Sequence, residues 1–314
     1  PTGRLRDQWH GMTRTGQLGR LFGHVAEPSV QLHPQDMERR SLKNGDLVYV
    51  TSKRGSIVVP VQGDTTVGLS QAFMAMHWGS EFLSGTSSTG ERLAGVNALT
   101  TSAYCPTSKQ PELKHAAVKV LKAELPWTLL AMAWLPADGA QATREALAAL
   151  MAQSPQFPFW SCVPFSNNTP LNEPGRERVG VLLRAAAHDA PPDATVERIE
   201  ALMGLATTDT LRYADKKRGQ RRAARLVRRG EATTLEGVVL AGDTSAESWL
   251  KTLLQEELPA QTYGRLLLVP GAKAPVAVQS RGKSVCTCFN VTDAAINAEL
   301  ARCHGTDDDR LAQL

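Results

Sequence analysis

The apolar positions fall into short runs whose period changes repeatedly along the chain. Residues 47–51 (Leu-Val-Tyr-Val-Thr) and 56–61 (Ser-Ile-Val-Val-Pro-Val) are rich in β-branched side chains and flank a Lys53-Arg54-Gly55 turn, so they predict two strands of a hairpin. Upstream, a strand ends near residue 32, and Pro34 opens a short polar helix running to Arg40, since the first helical turn does not need the N–H that proline lacks. Residues 69–76 predict a further strand, residues 80–95 a Ser-, Thr- and Gly-rich loop, and residues 116–121 (Ala-Ala-Val-Lys-Val-Leu) a closing strand. Short strands broken by glycine turns predict a small β-barrel over residues 1–125.

From Pro126 the pattern lengthens. Helices are predicted at 144–151, 194–205 and 246–258, with strands at 179–184 and 235–241. Residues 155–175, dense in Pro, Asn and aromatics, read as irregular. After Gly282 a new unit begins, with Thr292 as N-cap of a helix over 293–301, and Cys303 also reads as lying on a helix. The fold class expected is therefore mixed α and β, in three parts: 1–125, an α+β linker region at 126–282, and 283–314.

Composition narrows the function classes. The 314 residues are 42% hydrophobic and 21% charged, and 35 Lys and Arg against 31 Asp and Glu leave +4. That excess is too small to make a nucleic acid or a membrane surface the main partner, and no apolar run is long enough to span a bilayer. The non-Met start at Pro1 and the helix-like residues 310–314 read as the ends of an internal piece. Five cysteines, at 105, 162, 286, 288 and 303, are an odd number without secretory features, which favours reduced thiols and a cytoplasmic protein.

Two constellations in the first part carry candidate chemistry. Trp9, His10, Gly11, Met12, Thr13, Arg14, Thr15 and Gly16 form a loop offering an aromatic, an imidazole, hydroxyls, a guanidinium fork and close backbone approach, suited to a large polar ligand with phosphates and a flat heterocycle. Further on, Asn97-Ala98-Leu99-Thr100 precedes Cys105-Pro106-Thr107-Ser108-Lys109 and Lys114. With the strands between them, these motifs resemble the C-terminal domain of the molybdopterin-guanine-dinucleotide oxidoreductases, the dimethyl sulfoxide reductase superfamily. The resemblance implies a double-psi β-barrel, a molybdenum-bis(molybdopterin guanine dinucleotide) cofactor, and cofactor contacts from residues 9–16, Asn97 and Lys114. It also sets His77 near the substrate funnel. It makes Cys105 a structural turn rather than the molybdenum ligand, which the family carries in an earlier domain. Cys162 reads as a buried apolar thiol.

The third constellation is Cys286-Thr287-Cys288. Two thiolates one residue apart suit adjacent corners of an iron–sulfur cluster that needs four ligands, and the helix after Thr292 would turn its positive end toward them. The segment resembles the start of a bacterioferritin-associated-ferredoxin type [2Fe–2S] domain, truncated and helical, with half of the ligands present. A zinc site of Cys286, Cys288, Cys303 and His304 is the competing reading. The basic run 216–222, continued at 228–229, reads as a solvated face or a domain contact, and residues 212–219 resemble a stretch of assimilatory nitrite and nitrate reductases.

Taken together, the motifs resemble those of the bacterial assimilatory nitrate reductases. The resemblance implies nitrate as substrate, a [4Fe–4S] cluster in an upstream part, and a flavoprotein, ferredoxin or flavodoxin as electron donor. Another molybdopterin oxidoreductase, such as a formate dehydrogenase, and a non-catalytic electron-transfer or docking module are the alternatives.

Overall fold

A computed structural model describes residues 1–6, 15–111, 115–167, 177–273, 282, 284–286, 289 and 291–313. The hairpin expected in the first part is present. Strands β1 (Thr2–Gly3), β2 (Val30–Leu32), β3 (Leu47–Ser52), β4 (Gly55–Gly63), β5 (Ala72–Ala75), β6 (Thr86–Ser87) and β7 (Lys119–Lys122) form a sheet in the order β1-β5-β2-β4-β3-β7, with β6 on β4. The pairs β1–β5 and β2–β4 are parallel and the others antiparallel. Helix α1 (Pro34–Arg39) starts with Pro34 in its first turn, and His33 Nδ1 accepts from Gln35 N at 3.2 Å. The expected strand at 69–76 shortens to β5, because Ser70 takes a left-handed φ of 59° and gives its N–H to the buried Asp36 carboxylate at 2.6 Å. The closing strand lies three residues later than expected at its start, pairing Lys122 with Val48.

The second sheet joins β8 (Trp127–Leu135), β9 (Phe159–Ser166), β10 (Val179–Ala187), β11 (Thr210–Asp215), β12 (Gln220–Arg229) and β13 (Ala232–Ala241) in the order β11-β12-β13-β8-β10-β9, antiparallel throughout. Helix α2 (Ala140–Ala152) links β8 to β9, and β10 lies between those two strands, a split β-α-β arrangement. Residues 155–175 are thus not irregular throughout: β9 occupies 159–166. Its Pro164 is tolerated because β9 is the outer strand of this sheet. Helices α2 and α3 (Asp193–Leu202) cover one face through Leu147, Met151, Val196 and Ile199. Helix α4 (Glu247–Gln255) covers the other with Trp249, Leu250, Leu253 and Leu254. Helix α3 ends earlier than expected because Gly204 turns left-handed at φ 69°, and α4 does so because Glu257 takes φ 50°.

The two sheets meet. One apolar cluster runs from Phe22, Val30 and Val59 through Trp78 and Phe82 to Leu130, Trp134 and Leu240. Residues 82–84 pair with the outer edge of β9: Cys162 N donates to Phe82 O at 2.8 Å and Ser84 N to Trp160 O at 3.0 Å. Glu27 of the first part accepts from Arg184 on β10 and from Lys251 on α4, and Glu247 pairs with the same guanidinium. Beyond them, β14 (Ser284–Cys286) and β15 (Val291–Thr292) form a small hairpin leading into α5 (Asp293–Leu300) and α6 (Asp307–Ala312). Thr292 caps α5, accepting from Ala295 N at 3.1 Å. Cys303 lies past the end of α5 rather than on a helix, its thiol donating to Glu299 O at 3.3 Å.

Candidate functional site

The leading strand aims the chain at the candidate site. Thr2 and Gly3 of β1 run parallel to Met74 and Ala75, and Met76 N donates to Gly3 O at 2.9 Å. This register sets residues 4–6 beside His77, whose Nε2 accepts from Leu5 N at 3.1 Å. That bond requires the neutral ring with its proton on Nδ1, and the side chain is buried. Thr2 Oγ1 donates to Asn97 Oδ1 at 2.9 Å. Asn97 stands on the 3-10 turn Val96–Leu99, fixed by a bridge between Gly79 and Gly95. At Gly95 (φ 142°) a Cβ would lie 2.5 Å from the Trp78 carbonyl oxygen, so only glycine lets the turn approach closely enough for Val96 N to reach that oxygen at 3.0 Å. Of the sequence-derived candidates, His77 and Asn97 therefore converge on one segment, residues 1–6.

Trp9, His10, Gly11, Met12, Thr13 and Arg14 lie outside the described residues. The chain returns at Thr15, exposed, and Gly16, buried at φ 78°. From there it enters the 3-10 turn Gly19–Phe22, and Phe22 packs its ring 6.0 Å from Trp78 and 5.5 Å from Phe82. Both flanks of residues 7–14 thus rest on the 77–82 segment. Lys114 also lies outside the described residues. Its neighbour His115 lines a cleft of about 560 Å³ with Pro1, Asp36, Arg40, Ser70 and Val118.

Sequence reasoning missed Arg144. Helix α2 carries it into the junction with only 3% of its surface exposed. Its NH1 donates to Glu81 O at 3.1 Å, its Nε to Gln141 Oε1 at 3.4 Å, and its guanidinium lies 4.9 Å from the centre of the Phe82 ring. A Cβ built on Gly16 would be 2.7 Å from its NH2. Among the described residues, no carboxylate pairs with it. The signal was in the sequence: Arg144 shares one helical stripe with the buried Leu147, Ala148 and Met151, three, four and seven residues on.

The cysteines sort by environment. Cys162 is fully buried, and burial pushes its thiol up to about 12 even though the Arg144 charge pulls the other way. Cys105 is exposed at the head of a turn, where hydrogen bonds from the Ser108 hydroxyl and the backbone at 107–108 lower its thiol below the ordinary range. Cys286 is half-buried on β14, and Val285 O next to it accepts from the Arg6 guanidinium, tying this hairpin to the leading segment. Cys288 lies outside the described residues. Among the described residues no three His, Cys, Asp or Glu side chains are grouped to hold a metal ion.

The basic run divides. Arg221 binds Glu200 at 2.6 Å and Glu197 at 3.0 Å, and Arg222, 1% exposed, binds Asp243 at 2.9 Å, whereas Lys216 and Arg218 remain in solvent. Among the described residues, no helix is long and apolar enough to cross a membrane.

Residues 1–117 match the family model of the molydopterin dinucleotide binding domain. The chain is 38% identical over 140 residues to a nitrate reductase of Klebsiella oxytoca, covering 43% of this chain and 14% of that protein. It is 31% identical over 143 residues to a nitrate reductase of Shewanella frigidimarina (40% and 14%) and 36% identical over 124 residues to one of Symbiobacterium thermophilum (39% and 15%). The chain therefore spans about one-seventh of the length of these relatives.

Proposed function

We propose that this chain is the C-terminal part of a molybdopterin-guanine-dinucleotide oxidoreductase that reduces nitrate to nitrite, of the assimilatory cytoplasmic type, with residues 1–125 forming a double-psi barrel that binds the dinucleotide. The observation that carries this reading is the match of residues 1–117 to a dinucleotide-binding domain, together with the nitrate reductase relatives. The mixed parallel and antiparallel pairing of the first sheet is in keeping with it.

The residues in place fit an anionic dinucleotide. Asn97 offers its amide and Thr15 a hydroxyl, Gly16 permits close backbone approach, and a buried guanidinium with no carboxylate partner among the described residues stands behind Gly16. When bound, the molybdenum centre supplies the oxygen-atom chemistry, and the chain's part is to bind, orient and shield it. His77 holds the leading segment through Leu5, Asn97 holds it through Thr2, and the Phe22–Trp78–Phe82 aromatic group keeps water from the underside. Residues 9–14 and Lys114 complete the proposed contact set.

On the same reading Cys286 and Cys288 are two of four ligands of a [2Fe–2S] cluster, and a [4Fe–4S] cluster and the metal ligand belong to the part of the relatives that this chain does not span. The test compares two proteins. The 314-residue chain alone does not reduce nitrate with reduced viologen, whereas a chain of the relatives' full length does so and contains molybdenum and nucleotide. Nitrate reduction by the short chain, or a full-length protein without molybdenum, overturns the reading.

A further inference from the structure

We propose that Arg144, contributed by the second sheet's helix and outside the matched residues 1–117, supplies the positive charge that binds a phosphate of the dinucleotide at Gly16. This rests on the dinucleotide reading above and extends it to a residue of the linker region.

A guanidinium taken out of water is expensive to leave without an anion, and proteins ordinarily bury arginine against carboxylates. This chain does so elsewhere: Arg184 lies between Glu27 and Glu247, Arg178 between Glu236 and Glu257, and Arg222 against Asp243. Arg144 is as buried as Arg222, yet its partners are a carbonyl, an amide oxygen and an aromatic face. These satisfy Nε and NH1 and leave the charge uncompensated. Among the described residues NH2 takes part in no hydrogen bond, and with Nε and the central carbon it lies against Gly16, within 2.9 Å of the Cβ position there.

Gly16 is buried at φ 78°, and any side chain there would collide with Nε, the central carbon and NH2 of Arg144, all within 2.9 Å of the Cβ position. The backbone has thus been brought against the guanidinium as closely as a glycine allows. A phosphate lying on that turn meets both the charge and the open backbone, the combination used where proteins hold nucleotide phosphates. The Glu81 carbonyl and the Phe82 ring fix the fork in orientation, so little side-chain freedom is left to lose on binding.

The test uses the full-length protein that carries this chain, purified with its cofactor, and reads the nucleoside monophosphate released per chain by acid, alongside thermal unfolding. Arg144→Gln keeps a polar amide in place of the guanidinium and removes its charge. It is expected to retain about tenfold less nucleotide, with the deficit narrowing at high ionic strength, where salt screens the wild-type charge, while Arg144→Lys retains most of it. Wild-type nucleotide content in Arg144→Gln overturns the inference and leaves the dinucleotide reading standing. Absence of nucleotide from the wild-type protein overturns both. Should Arg144→Gln unfold, Arg144→Lys decides: retained nucleotide supports the charge, and loss despite a wild-type melting temperature overturns it.

Discussion

Two arginines carried by the second sheet and its helices reach into the first part, and their surroundings are built in opposite ways. At one, Arg184 of β10 meets Glu27, Glu247 and, through Glu27, Lys251, so that two cations and two carboxylates close on one another. Burial alone would raise the Glu27 carboxyl, but the charges and hydrogen bonds of Lys251 and Arg184 hold it down at about 2. At the other, Arg144 of α2 carries its charge to Gly16 and among the described residues meets only dipoles and a ring. The first crossing is complete in itself and serves to fasten the sheets. The second is complete only with an anion, so its energy belongs to binding more than to folding.

Three substitutions sharpen or break that contrast, each measured by urea unfolding of the 314-residue chain without cofactor. Glu27→Ala strands Arg184 and Lys251 and is expected to cost about 3–5 kcal/mol. The same carboxylate gives a pH signature. Its folded value lies below the 4.5 of a free glutamate, so its contribution is fully present above about pH 4.5 and is lost as pH falls toward 2. In Glu27→Ala the acid limb of the stability curve should flatten over that window. Arg144→Met strands no charge and removes two hydrogen bonds and a ring contact, for an expected loss of about 1–2 kcal/mol. A loss as large as that of Glu27→Ala would abolish the distinction between the two crossings. Lys251→Met removes the outer partner while Arg184 still holds Glu27, and about 1 kcal/mol is expected.

Thiol chemistry separates the same regions. Cys162 lies beneath Arg144 with its thiol held up by burial, and Cys105 sits in solvent with its thiol lowered. Of these two, Cys105 alone should react with a disulfide reagent in the folded chain at neutral pH, and Cys162 should appear only on unfolding. Fast labelling of Cys162 would show that the junction opens.

What the sequence made legible was local. Pro34 at a helix start, the Lys53–Gly55 turn and the Thr292 cap each act through atoms within a few residues, and each is where the pattern put it. Strands β8 and β9 escaped because nothing local marks them. Trp127–Leu135 is apolar almost throughout, being buried on both faces, so it has no period of two. In β9 the aromatics and Pro164 read as loop, although an outer strand accepts them. Of the candidate site residues, the structure brings His77 and Asn97, distant in sequence from residues 1–6, to that segment through Leu5 and Thr2. Arg144 was not legible, because an arginine in an Ala-rich helix is ordinarily on the water side, and only the stripe it shares with Leu147 and Met151 says otherwise.

The pairing of residues 82–84 with β9 carries a consequence for how the chain becomes ordered. An outer strand with free backbone donors and acceptors invites association with other molecules. Here that row is closed by a segment synthesised some 75 residues earlier, which stands ready before β9 emerges. Separated at residue 125, the second sheet would present an open rim along β9. The earlier part of the chain thus closes the rim of the later one, and with a shared core the two should gain and lose their order as one cooperative body.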